Sequence, residues 1–213
     1  MSEIVLHDYW RSSASYRVRI ALAALRLDYR RDPVDLLTHE QKGAANLARN
    51  PQGLVPTLRI DGQVLTQSLA IIEYLDETRG AGFLPEDAAG RARVRALGHA
   101  IAMDIHPICN LSVAAHVVEL TGGGDAVRKA WMQRFIGAGL SALETMLDDP
   151  RTGDFCHGDR PGLADFCLIP QLYNADRWEV DVSGLATIGR IAANCGELDA
   201  FRAAHPDRFA PVK

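Results

Sequence analysis

The hydrophobic periodicity of the chain changes once, and this change divides it into two parts. Before residue 80, short apolar runs alternate with segments whose apolar residues have helical spacing, which predicts alternating strands and helices. Residues 80–90 read GAGFLPEDAAG, a Gly-, Ala- and Pro-rich stretch typical of a linker. Only helical patterns follow it. We therefore predict an α/β domain at residues 1–82 and an all-helical domain at residues 88–213.

The first part has the order strand, helix, strand, helix, strand, strand, helix. An apolar run within residues 3–9 predicts a buried strand, and a stripe of apolar residues predicts a helix over 13–26. A polar helix is expected over 40–49, and Asp61-Gly62 is the signal of a tight hairpin. This order indicates a small sheet containing a βαβ unit and an antiparallel hairpin, covered by helices.

The second part is predicted to contain only helices. One long pattern covers residues 91–120, a second covers 125–147 and a third, with an internal proline, covers 163–178. Shorter helices are expected near 185–195 and 197–204.

Composition and charge exclude several classes of protein. Lys plus Arg number 23 and Asp plus Glu number 27, a net charge of −4, whereas a nucleic-acid-binding domain carries a basic excess. We find no run of about 18 apolar residues, and no basic and apolar pattern of a signal peptide at the start. Four scattered cysteines match neither a disulfide framework nor a zinc site. We expect no membrane contact, no metal and a cytoplasmic location.

Three short segments of the first part could hold an anion. In the first, Ser12, Ser13 and Ser15 lie where a strand passes into a helix, and the start of a helix presents unpaired N–H groups and a partial positive charge. Serine is also a common N-cap, so these residues could serve the helix alone.

The second and third segments are Asn50–Leu58, which contains Pro56 before a strand, and Gln67-Ser68 at the next helix start. Each has an ordinary explanation, a trans proline at a strand start or a plain N-cap. Together, the three segments indicate a peptide-like anionic ligand lying along the sheet edge.

The segments SSxSYRVRIAL, NPQGLVPTL and QSLAIIEYLDET resemble the glutathione transferase superfamily, and most closely its zeta class. The resemblance continues through residues 106–112, 158–165 and 170–181, and so covers nearly the whole chain. It implies a thioredoxin-like N-terminal domain that binds glutathione, an all-α C-terminal domain that supplies the second-substrate pocket, and a homodimer.

The resemblance also implies roles for individual residues. Ser12, assisted by Ser13, would donate to the glutathione thiolate, and Val55 would pair its backbone with the cysteinyl part before a cis Pro56. The implied cofactor-binding residues are Ser12, Ser13, Ala14, Ser15, Tyr16, Arg17, Gln41, Val55, Pro56, Gln67, Ser68, His106, Asn110, Leu111 and Ser112.

Within that set, Gln67 and Ser68 would hold the γ-glutamyl carboxylate. Gln41 would reach the glycyl end, with His39 as its rival. Arg11 and Arg177 are candidates for the carboxylates of the second substrate, because a guanidinium binds a carboxylate through two parallel hydrogen bonds. A surface salt bridge of Arg177 with a neighbouring acid is the alternative.

The implied activity is the glutathione-dependent cis–trans isomerisation of a maleyl diketo acid. Asn110-Leu111-Ser112 favours maleylacetoacetate over maleylpyruvate, because some members that act on maleylpyruvate carry arginines after the asparagine. The alternatives are a general transferase or α-halo acid dehalogenase, and a noncatalytic module.

The sequence departs from the family pattern at two positions. Ala14 occupies a position where the class often has cysteine, so the reactive sulfur would come from glutathione. Gly162 replaces a capping Thr or Ser, at a cost of a few tenths of a kcal/mol.

Overall fold

A computed structural model describes residues 3–211, in which nine α-helices and four strands occur. The elements in chain order are β1 (Val5–Asp8), α1 (Ser13–Ala24), β2 (Arg30–Pro33), a 3₁₀ turn (Glu40–Lys42), α2 (Ala44–Leu47), β3 (Thr57–Ile60), β4 (Gln63–Thr66), α3 (Ser68–Arg79), α4 (Ala88–His99) with a π-helical continuation (Ala100–Ile105), α5 (Leu111–Thr121), α6 (Gly124–Met146), α7 (Leu163–Arg177), α8 (Ala186–Gly196), α9 (Asp199–Ala203) and a 3₁₀ turn (Pro206–Phe209).

The four strands form one mixed sheet in the order β2-β1-β3-β4. β1 pairs in parallel with β2 and antiparallel with β3, and β3 pairs antiparallel with β4. β1, β2 and β4 therefore run in one direction and β3 in the other. It follows that the ends of β1, β2 and β4 and the start of β3 all lie at the same edge of the sheet, where every candidate segment of the first part is attached.

Two local predictions about the sheet and its helices are confirmed. Asp61 and Gly62 both have positive φ, 52° and 76°, which is the backbone of the two-residue turn that joins twisted antiparallel strands. In α3, Ile72 and Leu75 are fully buried, as the helical spacing of the apolar residues requires, and the helix ends at Gly80 in the left-handed conformation.

The described chain divides into two compact units, and the division differs from the predicted domains at the C-terminus. One unit contains the residues up to Phe83 together with those from Gly196 onward, and the other extends from Leu84 to Cys195. The last segment, predicted to belong with the helices of 88–213, groups with the first unit in this division. That segment is tied to α1, where the Tyr16 hydroxyl donates to Phe201 O at 3.4 Å.

The second unit is built around the contacts of α4 and its π-helical continuation with α6 and α7. Its buried apolar side chains come from all of these helices; they include Leu97, Ile101, Ile136, Leu140, Leu163 and Phe166. α7 begins at Leu163 although Gly162 has no capping side chain. Instead, the Asp165 carboxylate accepts the N–H groups of Gly162 at 2.8 Å and Cys156 at 2.9 Å.

Two helical predictions need correction. The pattern over 91–120 forms two helices rather than one, because Pro107 lacks an N–H and the Asn110 side chain caps a new start by accepting from Ser112 N at 3.1 Å. The polar helix expected over 40–49 is a 3₁₀ turn followed by four α-helical residues, divided at Gly43, whose backbone is extended.

Three structural absences hold for residues 3–211. No helix there is long and apolar enough to cross a bilayer. No group of three or more His, Cys, Asp or Glu side chains in this range could hold a metal ion. None of the four cysteines, which all lie in this range, forms a disulfide bond, and all four are buried.

His7 should make the protein sensitive to mild acid. Its side chain is 8% exposed and contacts Asp32 at 2.7 Å, yet burial, followed by repulsion from Arg49, holds its pKa below 6.5. The unfolded chain therefore takes up a proton that the folded chain resists, and the free energy of unfolding falls as the pH drops below 6.5. Urea unfolding midpoints on both sides of that pH should differ less in His7→Gln than in the wild type. His116→Gln, at an exposed site, is the control, and an equal pH dependence in all three proteins would contradict the prediction.

Candidate functional site

Ser12 is the N-cap of α1, and this geometry leaves its hydroxyl proton available to a ligand. Its Oγ accepts from Ser15 N at 3.2 Å, and its own N–H donates to Tyr9 O at 3.0 Å. A hydroxyl has one donor and two acceptor positions, so a capping oxygen can still donate. The capping role that competed with the functional role is therefore present and compatible with it. Ser13 and Ser15 are buried, and Ser15 Oγ makes no hydrogen bond within the described residues.

The start of α3 lies beside the same edge of the sheet. Its N-cap is Gln67, not Ser68 as expected, and Gln67 has φ 67° and ψ 113°, a strained backbone for a residue with a side chain. Such strain persists where the surrounding structure imposes it and is common at binding sites. Ser68 Oγ accepts from Arg17 Nη1 at 3.2 Å. Arg17 lies in the second turn of α1, so this bond joins that turn to the first turn of α3.

The Val55-Pro56 bond is cis, as the resemblance implied, and Pro56 directly precedes β3. Thr57 pairs with Thr66 in the adjoining strand, so Pro56 and Gln67 are each one residue beyond a paired position. This register places the Val55 backbone and the start of α3 on neighbouring strand ends.

Gln52, which was not among the candidate residues, contacts one of them. Gln67 Nε2 donates to Gln52 Oε1 at 2.7 Å, which ties the second candidate segment to the third. Gln52 lies inside the NPQG segment that carried the resemblance, and its polar side chain in an otherwise apolar and turn-forming run was the available signal.

The segment that leads to Gln41 is held by polar contacts. Asn46 Nδ2 donates to Gln41 O at 3.0 Å, and Asn50 Nδ2 donates to Leu54 O at 3.1 Å. Gln41 Oε1 is buried and makes no hydrogen bond within residues 3–211, whereas the rival His39 is exposed. A buried amide oxygen without a partner is costly, which favours Gln41 over His39 as a ligand contact.

Arg11 is fixed beside Ser12 by two aromatic residues. Arg11 Nη2 donates to the Tyr9 hydroxyl at 3.1 Å, and its guanidinium carbon lies 4.9 Å from the Trp10 ring centroid. Stacking of this kind limits the rotamers of the side chain while its planar donor groups stay available for an anion. Arg11 is half-buried and so remains accessible.

The candidates of the second unit lie in two places within it. His106 directly follows the π-helical segment and Asn110 is the N-cap of α5, whose first two residues, Leu111 and Ser112, are exposed. Arg177 is exposed at the end of α7, where it contacts Asn174 Oδ1 at 3.5 Å. Its neighbour Glu179 is bound by Lys129 Nζ at 2.6 Å.

The cysteines of the chain are unsuited to nucleophilic chemistry. Burial raises the pKa of the Cys109 thiol to about 11, and burial also raises the pKa values of Cys156 and Cys195. A thiol must ionise to act as a nucleophile, so these cysteines are unreactive near neutral pH. None of these three thiols is therefore expected to supply a sulfur nucleophile.

Comparison with known proteins identifies the family. The family model for the glutathione S-transferase N-terminal domain matches residues 11–78, and the model for the C-terminal domain of the same family matches residues 125–207. Maleylacetoacetate isomerase of Rhizobium meliloti (strain 1021) is 60% identical over 211 residues, which cover 99% of each chain. The chain belongs to the glutathione S-transferase family. The predicted fold class, an α/β domain followed by a helical one in the glutathione transferase architecture, is confirmed.

Solved structures place it near the zeta class of glutathione transferases. The holo structure of a zeta-class maleylpyruvate isomerase superposes with a TM-score of 0.92 at 44% identity, covering 95% of this chain and 96% of that one. Maleylacetoacetate isomerase from Methylobacterium extorquens AM1, solved with bound malonate and glutathione, gives a TM-score of 0.93 at 39% identity. That alignment covers 98% of this chain and 100% of the other.

Proposed function

We propose that this glutathione S-transferase catalyses the glutathione-dependent cis–trans isomerisation of a maleyl diketo acid, with maleylacetoacetate as the substrate and maleylpyruvate as the alternative. The observation that carries the proposal is the start of α1, where Ser12 is held as a cap while its proton remains free to donate. The relative of 60% identity is named for this reaction, and a solved structure of an enzyme with that name contains glutathione together with a dicarboxylate.

The described residues fit glutathione on structural grounds. The start of α1, the start of α3 and the Val55 backbone all belong to one sheet edge, as an extended tripeptide requires. On the chain that follows β2, the buried Gln41 Oε1, which has no hydrogen-bond partner within residues 3–211, would provide a further polar contact. Gln67 and Ser68 offer an amide and a hydroxyl at a helix N-terminus, a site suited to the γ-glutamyl carboxylate.

The residues of the chain would lower the barrier through charge and position. Bound glutathione supplies a nucleophilic sulfur that is regenerated in each turnover, so that the double bond can rotate while it is temporarily single. Ser12 would donate to that sulfur, and the α1 dipole would favour its ionised form. Ser13, with the first turn of α1, would assist. Arg11 would bind a substrate carboxylate, since its fork is already oriented by Tyr9 and Trp10.

In the second unit, we propose the roles that the resemblance implies. His106, Asn110, Leu111 and Ser112 would line the substrate site, and Arg177 would bind the second carboxylate.

We also propose a homodimer and a cytoplasmic location. The homodimer is supported by exposed large apolar side chains in both units, such as Leu47 and Met103. The location is supported by the four cysteines, none of which forms a disulfide bond within residues 3–211. Sedimentation equilibrium tests the dimer.

A spectrophotometric assay of maleylacetoacetate and maleylpyruvate, with and without glutathione, tests the reaction. We expect isomerisation that requires glutathione but does not consume it, with the higher kcat/KM for maleylacetoacetate. Loss of one glutathione per turnover with an α-halo acid would instead show a transferase or dehalogenase. If glutathione produced neither turnover nor a rise in Tm, both catalytic assignments would fail.

Ser68→Ala should weaken glutathione binding more than it slows the reaction. A hydrogen bond to a charged group contributes about 1.5 to 3 kcal/mol, so we expect Kd for glutathione to rise by at least about tenfold, with kcat at saturation nearly unchanged. Titration calorimetry measures Kd. Ser68→Thr, which keeps the hydroxyl, should restore binding, and Ser141→Ala on the exposed face of α6 is the control. An unchanged Kd in Ser68→Ala would remove Ser68 from the site.

A further inference from the structure

A buried arginine connects three separate segments of the first unit. The side chain of Arg19, on α1, is 0% exposed, and its guanidinium donates to Asp8 Oδ2 at 2.5 Å, Trp10 O at 2.9 Å and Ala204 O at 3.2 Å. These acceptors belong to the end of β1, to the loop between β1 and α1, and to the C-terminal segment. Lysine could not reproduce this arrangement, because its single ammonium lacks the planar fork of an arginine.

The C-terminal segment, from Gly196 onward, also contacts these buried charges. The second carboxylate oxygen of Asp8, Oδ1, accepts from Arg31 Nε at 2.5 Å. Arg31 Nη1 in turn donates to Phe209 O at 3.1 Å. The Phe209 ring lies below both guanidinium groups, 4.8 Å from Arg19 and 5.4 Å from Arg31. We call Asp8, Arg19, Arg31 and Phe209 the Arg19 cluster.

One bond of the cluster is directed at the loop that carries Ser12. Trp10 O lies two residues before Ser12, and the next residue back, Tyr9, accepts the Ser12 N–H. Holding Trp10 O therefore restrains the peptide planes that set the position of the Ser12 oxygen. A buried ion pair is weak support for stability alone, since well-packed apolar side chains often replace one without loss. An apolar substitute, however, would have no donor for Trp10 O.

We propose that Arg19 is a positioning residue for Ser12, and that the C-terminal segment, through Phe209, holds Arg19 in place. The inference rests on the proposed role of Ser12. Arg19 acts through the loop and touches neither glutathione nor substrate. Because a misplacement of about 1 Å can cost about a hundredfold in rate, a small shift of Trp10 O is enough to affect catalysis.

The test compares Arg19→Lys with the wild type and with Arg202→Lys. Arg202 lies on α9, and its guanidinium contacts Gly196 O, Glu197 and Asp199. In Arg19→Lys we expect kcat at saturating glutathione to fall about tenfold or more, while KM for the diketo acid changes little. The pKa of the thiol of bound glutathione, measured from the ultraviolet absorbance of the thiolate, should rise. With no glutathione present, amide hydrogen exchange at Arg11 and Ser12 should be faster in Arg19→Lys than in the wild type.

A purely structural role predicts a different result. If Arg19→Lys lowers Tm but keeps the kcat, the thiolate titration and the exchange at Ser12 of the wild type, the proposal is overturned. If Arg19→Lys does not fold, Phe209→Leu decides, because it removes the Phe209 ring and keeps the Arg19 guanidinium. Faster amide exchange at Ser12 in that variant supports the proposal, and exchange at the wild-type rate overturns it. A wild type without isomerase activity would reject the proposed function, while the exchange experiment would still decide the positioning of Ser12.

Discussion

Replacing Ser12 by alanine is expected to lower kcat/KM by about 10²- to 10³-fold. The estimate follows from the loss of one donor to a developing or stabilised anion in a site that is oriented before the reaction. The residual activity would come from the α1 dipole and from Ser13. Steady-state rates with maleylacetoacetate, together with the ultraviolet titration of bound glutathione, provide the measurement.

The alanine variant also removes a helix cap, so a second substitution is needed to separate the two effects. Ser12→Asp keeps a capping oxygen for Ser15 N and suits the positive end of the helix, so its Tm should stay near that of the wild type. Its carboxylate would repel a thiolate, so its activity should be as low as that of the alanine variant. Ser12→Thr keeps both functions and should be active. Normal activity in Ser12→Asp would mean that Ser12 only caps α1.

Replacing Asp8 by asparagine is expected to lower the free energy of unfolding of the first unit by about 3 to 5 kcal/mol. The carboxylate is fully buried and bonds Arg19 and Arg31, so an amide of the same shape leaves two guanidinium groups without their counter-charge. Removing one partner of a buried ion pair typically has an effect of this size. Urea unfolding followed by the fluorescence of Trp10, which lies in this unit, measures it.

Asp61→Asn is the matched control. Asp61 also binds an arginine, Arg79 at 2.6 Å, but its side chain is 41% exposed, and water replaces the lost contact. Its unfolding midpoint should barely move. Equal shifts in the two variants would show that the Arg19 cluster is no more important to folding than a surface ion pair.

The chemistry of the site depends on features that serve two purposes. Ser12 caps a helix and can still donate, and Arg17 joins α1 to α3 while it holds the Ser68 hydroxyl beside a helix start. For this reason the ordinary structural explanation of a serine at a helix start does not compete with the functional one. The Ser12 oxygen accepts the hydrogen bond that caps α1, and the proton of the same hydroxyl can be donated to a ligand.

Much of the first unit could be predicted from local patterns. Asp61-Gly62 specifies its turn because both residues tolerate positive φ, and the apolar stripe of α3 specifies which face is buried. The interruption at Pro107 was not predicted, because the apolar spacing on both sides of it stays helical and masks the missing N–H. Gln52 was likewise overlooked, since its partner Gln67 is 15 residues away and is brought close only by the pairing of β3 with β4.

The sequence by itself determined the order of strands and helices, the three anion-holding segments and the family, because these depend on neighbouring residues and on motifs of fixed spacing. Only the tertiary structure decided where the C-terminal segment belongs. Nothing near Phe209 indicates that it packs against Arg19 and Arg31, about 180 residues earlier. Its place depends on Arg19 of α1 and Arg31 of β2, whose N–H groups need acceptors. The carbonyl groups of the C-terminal segment become available to them only after the chain has folded back on itself.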